Sequence, residues 1–378
     1  MARRDRSKDG FPQDPVLALR ARELLADVRQ LVAAERWKDA APRSAALVQM
    51  APKLAEAHEL MGIVAMRTGA SKIAEACFER AVTIGPASAS RLLNWGKALA
   101  ALHDPVAAER VLHRALLIRP DDPDILMELA EAQLHQHRDA DALKTLRRVL
   151  RRQPDHRLAN HLASALTQAG APDRDYVRNL FESYAGIFDQ HLTQTLAYRV
   201  PEALADMIGA TTIPAGPALD LGCGTGLVAE ALAPSGRIID GIDLAAAMVE
   251  QARSRSLYRH LAVGDCTELL NQDPTFSGPY SLICAADVFI YIGALEPLFQ
   301  AMTPRLATGG VIAFSIETAD HDEIEIRASG RFAHAPAYIE NLMRQSGLHL
   351  LAQQPHTIRQ EQERPIAGQL YLIQAAQS

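Results

Sequence analysis

The sequence predicts two units of different class, an array of α-helical hairpins followed by an α/β unit built on a mostly parallel sheet. Three observations carry that expectation: residues that recur every 34 positions through the first half, an apolar strand running into a glycine turn and a helix in the second, and a change in the sign of the charge between them. The length of 378 residues agrees, since domains of ~100–200 residues leave room for two. A hydrophobic content of 48% with 22% charged residues is that of a globular protein, and 5% aromatic residues points to Ala- and Leu-rich helical packing. Disordered and collagen-like classes are excluded.

No apolar run approaches the ~18 residues of a membrane-spanning helix, and the opening MARRDRSKDGFPQDP has no apolar segment behind its basic residues. The expected setting is cytoplasmic, with no membrane partner. Cys77, Cys223, Cys266 and Cys284 form no CxxC pair and have no His at ligand spacing, so neither a disulfide framework nor a metal site is expected. Residues 1–172 carry 26 Lys+Arg against 21 Asp+Glu, and residues 173–378 carry 13 against 24. An acidic second half repels a phosphate backbone, which argues against a nucleic-acid partner there.

In the first half, Pro52, Pro86, Pro120 and Pro154 stand 34 residues apart, as do Ala40, Ala74, Ala108 and Ala142. Gly62, Gly96 and Ala130 form a small-residue column, and Phe78, Leu112 and Leu146 a large apolar one. Two antiparallel helices approach closely only where side-chain bulk is absent, and a proline behind the second helix stops it. The pattern resembles the tetratricopeptide repeat over about residues 21–156, closed by a capping helix HRLANHLASALTQAG that ends at Gly170. The expected organisation is a flexible arm over 1–20, repeats and cap over 21–172, and the α/β domain over 173–378. A superhelix of this kind offers a groove to a peptide or partner protein; serving as a spacer or dimer surface is the alternative. His58, Leu92 and Leu126 replace aromatic columns of the family pattern, which leaves the fold intact and the ligand open.

The second half reaches its most informative stretch at PALDLGCGTGLVAEALA. Gly222, Gly224 and Gly226 let the backbone turn tightly and bring amides close to a ligand. A dinucleotide turn requires a third glycine at position 227, where Leu227 stands, and no G-K-[ST] follows for a phosphate loop. Asp220 precedes the turn, Asp243 ends a strand RIIDGID, and Asp265 follows a strand HLAVGD. Asp243 and Asp265, each read alone, are equally helix N-caps; with Asp220 they mark three neighbouring strand ends.

These residues resemble the class I S-adenosylmethionine-dependent methyltransferases, and the whole chain resembles a bacterial group that joins such a domain to tetratricopeptide repeats. The resemblance implies a Rossmann-like, seven-stranded, mostly parallel sheet closed by an antiparallel C-terminal hairpin, here GLHLLAQQPHTIR with GQLYLIQAA. It implies that Asp220, Gly222, Cys223, Gly224, Thr225 and Gly226 meet the methionine part of S-adenosylmethionine, and that Asp243 takes the ribose hydroxyls with Leu244 and Met248 nearby. Asp265 and Cys266 match the adenine-edge pair, and Asp287, Val288 and Tyr291 follow the fourth strand beside cofactor or acceptor.

A sulfonium cofactor suits aromatic surfaces, so Tyr184 and Phe188 are expected to cover it, with helix packing as their other reading. If the acceptor is a hydroxyl or amine, a base must take its proton, and Glu317, His334 and His191 are the candidates, Glu317 because it follows the strand GGVIAFSIE. Arg331, His334 and Tyr338 stand at spacings compatible with one face. Arg331 and Arg359 suit a carboxylate or phosphate on the acceptor, although ion pairing within the fold explains them equally, and Tyr338 joins them as a substrate contact. The expected activity is methyl transfer to a small molecule or protein; the rival is a non-catalytic repeat scaffold with a vestigial cofactor domain.

Overall fold

The computed structural model describes residues 10–167, 174–184, 198–321, 323–361 and 364–375. Two compact units divide between Ala159 and Asn160, inside a helix and ahead of the 172/173 boundary read from the repeats.

The first unit is a series of helical hairpins: α1 (Pro15–Ala33) with α2 (Trp37–Met50), α3 (Ala55–Arg67) with α4 (Ser71–Ile84), α5 (Ala89–Ala101) with α6 (Pro105–Ile118), and α7 (Pro123–Leu134) with α8 (Asp139–Arg152). Helix α9 (Arg157–Thr167) follows. The arm expected over residues 1–20 is helical from Pro15, because Asp14 accepts the amides of Val16 and Leu17 and Pro15 is preset for a first helical turn. Asp104 and Asp122 start α6 and α7 in the same way.

The 34-residue columns meet as their residue sizes require. Ala40, Ala74, Ala108 and Ala142 are fully buried. A Cβ on Gly62 would stand 2.7 Å from the ring of Phe78, and one on Gly96 would stand 2.8 Å from Leu112. A further column escaped the sequence: Glu35, Gly69, His103 and His137 all adopt positive φ, at 53°, 79°, 57° and 54°. Each ends the first helix of its hairpin in the left-handed conformation, yet only one of the four is glycine.

In the second unit, β1 (Ala218–Leu221), β2 (Ile239–Asp243), β3 (Tyr258–Val263), β4 (Tyr280–Ala285), β5 (Leu306–Glu317), β8 (Leu348–Glu361) and β9 (Arg364–Ala375) form one sheet in the order β3-β2-β1-β4-β5-β9-β8. The pairs among β1 to β5 are parallel, and β9 pairs antiparallel with both β5 and β8. The hairpin is longer than the sequence indicated, since Gln360 and Glu361 of β8 still pair with Pro365 and Arg364 of β9. A short ladder of β6 (Ile324–Ile326) and β7 (Phe332–His334) follows β5.

Alternation along the strands supplies two apolar faces. Leu219, Ile283, Ile312 and Phe314 pack into one cluster, and Ala218, Leu282, Val311 and Ala313 into the other. Between them, α11 (Val200–Gly209), α12 (Leu227–Leu232), α13 (Ala246–Ser254), α14 (Cys266–Gln272), α15 (Glu296–Met302) and α16 (Pro336–Gln345) complete the unit, with α10 (Arg174–Tyr184) ahead of the sheet. Strand order reverses between β1 and β4, and the crevice at their carboxyl ends is where open α/β sheets bind ligands.

Candidate functional site

A cavity of about 260 Å³ opens at that crevice, walled by the turn after β1, the ends of β2 and β3, the segment after β4, and α10. Its floor is the glycine turn. Gly222 and Gly224 have φ of 61° and 52°, and a Cβ on Gly222 would stand 2.6 Å from Val288. The turn is fixed by hydrogen bonds from Cys223 N to Ile242 O and from Gly226 N to Cys223 O, both 2.9 Å.

Asp243 joins this turn to the end of β2. Its Oδ2 accepts from Gly224 N and its Oδ1 from Ala245 N, each at 2.8 Å. Burial pushes its carboxyl above the usual range, opposed by those amides and that of Leu244. Asp265 caps α14 by accepting from Glu268 N at 3.0 Å, and its Oδ2 stands 3.2 Å from Arg174 Nε. Its cap role and its place in the wall coexist. Burial pushes the Cys266 thiol up to about 12, so it presents a neutral sulfur.

Helix α10 supplies one side of the wall through Val177, Leu180 and Phe181. Phe181 meets Tyr291 edge to face at 5.1 Å and packs with Ala245 and Met248. Glu182 accepts from Ala246 N at 2.6 Å and from Ala247 N at 3.3 Å at the start of α13, a favourable place for a carboxylate. Tyr184 ends this helix, but its side chain lies outside the described residues, as do Phe188 and His191.

Beyond Val288, the wall is formed by Tyr198, Asp287, Tyr291, Ile292, Arg331 and Arg359. Asp287 holds a left-handed backbone, φ 58°, anchored by its N–H donating to Ser315 Oγ at 2.8 Å. Burial pushes its carboxyl up to about 6, against the pull of Arg359. Arg359 donates to Glu317, and Arg331 pairs with Glu361 at 3.2 Å.

The structure gathers Gly222, Cys223, Gly224, Thr225, Asp243, Leu244, Asp265, Cys266, Asp287, Val288, Tyr291, Arg331 and Arg359 into this wall. Other expected site residues fall elsewhere. Gly226, φ 98°, starts α12, and its α-carbon faces Arg255 and Tyr258. Met248 is buried under Phe181. Asp220 is buried outside the wall, with Oδ2 accepting from Tyr258 OH at 2.7 Å and Oδ1 lacking a partner. Burial pushes its carboxyl up to about 7.

Two of the base candidates, Glu317 and His334, and with them Tyr338, fall outside the wall. Glu317 is buried outside the wall, its carboxylate engaged by Arg359. His334 is fully buried, its Nε2 bonded to Gly293 O at 2.8 Å and its ring stacked 5.7 Å from Tyr338. Burial pushes this imidazole down to about 4, leaving it neutral and without access to a ligand. Tyr338 donates to Glu296 at 2.9 Å and accepts from Leu295 N at 2.8 Å, a purely structural pairing. Arg331 precedes β7 while Tyr338 lies in α16, so the expected common face does not form. Conversely, Arg174, Val177, Leu180, Phe181 and Tyr198 line the cavity and were not anticipated; the apolar spacing of Val177, Leu180 and Phe181 on one helix was the available indication.

Residues 219–312 match the family model of a methyltransferase domain, and residues 99–169 match that of the tetratricopeptide repeat. A malonyl-[acyl-carrier protein] O-methyltransferase of Geobacter sulfurreducens is 32% identical over 167 residues, 43% of this chain and 60% of that protein. Methyltransferase-like protein 27 of Homo sapiens is 34% identical over 132 residues, 34% of this chain and 50% of that protein. The chain thus spans about half or slightly more of these curated relatives. Among solved structures, magnesium protoporphyrin IX methyltransferase of Synechocystis, with bound S-adenosylhomocysteine, is 14% identical, covering 54% of this chain and 100% of that one at a TM-score of 0.42. YrrB, a tetratricopeptide-repeat protein with a peptide-binding site, is 18% identical, covering 50% and 90% at a TM-score of 0.36. The methyltransferase-domain match thus falls on the sheet-bearing second unit, and the tetratricopeptide-repeat match on the helices from α5 to α9.

Proposed function

We propose that this chain transfers the methyl group of S-adenosylmethionine to an acceptor entering the cavity of its second unit, with residues 173–378 as the catalytic domain. The observation that carries the reading is Asp243: a carboxylate at the end of β2, in the cavity wall, bonded to the glycine turn.

The residues fit the cofactor. Each Asp243 oxygen holds one amide and retains acceptor capacity for a ribose hydroxyl. Phe181, Tyr198 and Tyr291 add aromatic surface suited to a sulfonium. The cofactor supplies an already activated methyl group, so positioning and exclusion of water are the protein's main tasks. Asp243 and the turn orient the adenosyl end, α10 covers it, and Asp287, Tyr291 and the arginines bound the space left for the acceptor.

Relatives whose names state an acceptor are O-methyltransferases acting on malonyl-[acyl-carrier protein] or in ubiquinone biosynthesis, which supports oxygen as the acceptor atom. The repeats are proposed to bind a peptide or partner protein, a reading supported by the family match of residues 99–169. No helix of the described residues is long and apolar enough to cross a membrane.

Methyl-labelled cofactor mixed with cell extract, then separated into protein and small-molecule fractions, tests the reading. Label is expected in one fraction with the wild-type chain and in neither with Asp243→Ala; no transfer by either protein contradicts it.

A further inference from the structure

Arg359 is the most heavily buried cation in the cavity wall, 2% exposed. Its Nη2 donates to Glu317, while Asp287 and Glu361 stand at 3.6 Å, beyond hydrogen-bond reach. Its Nε and Nη1 have no hydrogen-bond acceptor among the described residues. A buried charged donor without an acceptor is costly, and a ligand anion relieves that cost. Arg331 stands in the same wall, paired with Glu361. Glu317 and Glu361 pair with these arginines but are not themselves part of the wall.

Resting on the methyltransferase reading of this cavity, we propose that the methyl acceptor is a carboxylic acid whose carboxylate docks on Arg359, with Arg331 as the second cation. Charge limits the ligand. Two arginines already face three carboxylates, Asp287, Glu317 and Glu361, so a phosphate dianion would add two more negative charges, whereas a carboxylate adds one. Of the three acids in the wall, Asp243, Asp265 and Asp287, only Asp287 stands in an ion pair with either of these arginines, so an amine there would meet two cations against one acid of the wall. Asp287 supports the arrangement, since its Oδ1 is buried without a partner and a carboxyl pushed up to about 6 can share a proton with a carboxylate beside it. The planar guanidinium also matches a carboxylate geometrically.

Calorimetry on the full chain saturated with S-adenosylhomocysteine tests this with ligands of similar shape and different charge: acetate against acetamide, and benzoate against benzamide, benzylamine and phenyl phosphate. At least one carboxylate is expected to bind tenfold more tightly than its amide. Arg359→Gln should lower that affinity at least tenfold while shifting the S-adenosylhomocysteine affinity less than twofold. Because that variant leaves Glu317 buried without its counter-charge, Glu317→Gln/Arg359→Gln is the second variant, expected to fold and show the same loss. Preference for benzylamine or phenyl phosphate, carboxylates no tighter than their amides, or unchanged carboxylate binding in a folded Arg359 variant overturns the proposal. Failure of S-adenosylhomocysteine itself to bind overturns the methyltransferase reading instead.

Discussion

Asp243 Oδ2 accepts the amide of Gly224 at 2.8 Å, so the carboxylate proposed to hold the ribose also fixes the turn proposed to hold the methionine part. One side chain therefore couples two halves of a ligand site. Asp243→Asn keeps the size but loses the charge-assisted hydrogen bonds, and S-adenosylhomocysteine affinity measured by calorimetry should fall by ~2 kcal/mol, or roughly 30-fold. Asp265→Asn should cost about 1 kcal/mol or less, because Arg174 and the α14 cap already occupy that carboxylate.

Phe181 touches Tyr291, Ala245 and Met248 from α10. Phe181→Ala should weaken cofactor binding by about 1–2 kcal/mol, the order expected for removing a partly buried aromatic contact. Fluorescence or calorimetric titration reads the loss, and a thermal melt of the free protein separates it from unfolding. Equal affinity in the variant removes α10 from the cofactor site.

His334 makes acid stability measurable. Its imidazole is pushed down to about 4 from the ordinary 6.5, so the unfolded chain takes up a proton that the folded one refuses. Its contribution is complete above ~6.5 and is lost as pH falls toward about 4, amounting to at most ~3 kcal/mol. Denaturant unfolding at several pH values should show this slope in the wild type, and His334→Gln should flatten it.

The repeat unit offers paired tests of opposite sign. Gly62→Ala forces a methyl into the ring of Phe78 at 2.7 Å and should destabilise by roughly 1–3 kcal/mol. His103→Gly relieves a left-handed residue, φ 57°, and should stabilise by ~0.5–1 kcal/mol. Thermal melts of both variants check the pair.

What was legible in the sequence follows from which forces act locally. Alanine, glycine and proline columns expose the hairpin array because each repeat solves the same packing problem with the same residue sizes. The left-handed column was hidden because Glu35, His103 and His137 occupy it in place of glycine. Asp243 and Asp265 were readable as acids at strand ends. Glu317 shared that position, yet its role is set by Arg359, which reaches it from β8 through the antiparallel pairing of β9 with both β5 and β8. His334 was misread because the Gly293 carbonyl that holds it comes from a distant loop. Phe181 on α10 was not anticipated, since helical spacing alone does not fix which turn meets the cavity; the expected cover, Tyr184 and Phe188, falls on side chains outside the described residues.

Titration of the full chain with S-adenosylhomocysteine tests the central claim most directly. The account predicts one site per chain with a dissociation constant on the order of 1–100 μM. No heat and no thermal stabilisation at millimolar ligand would contradict it.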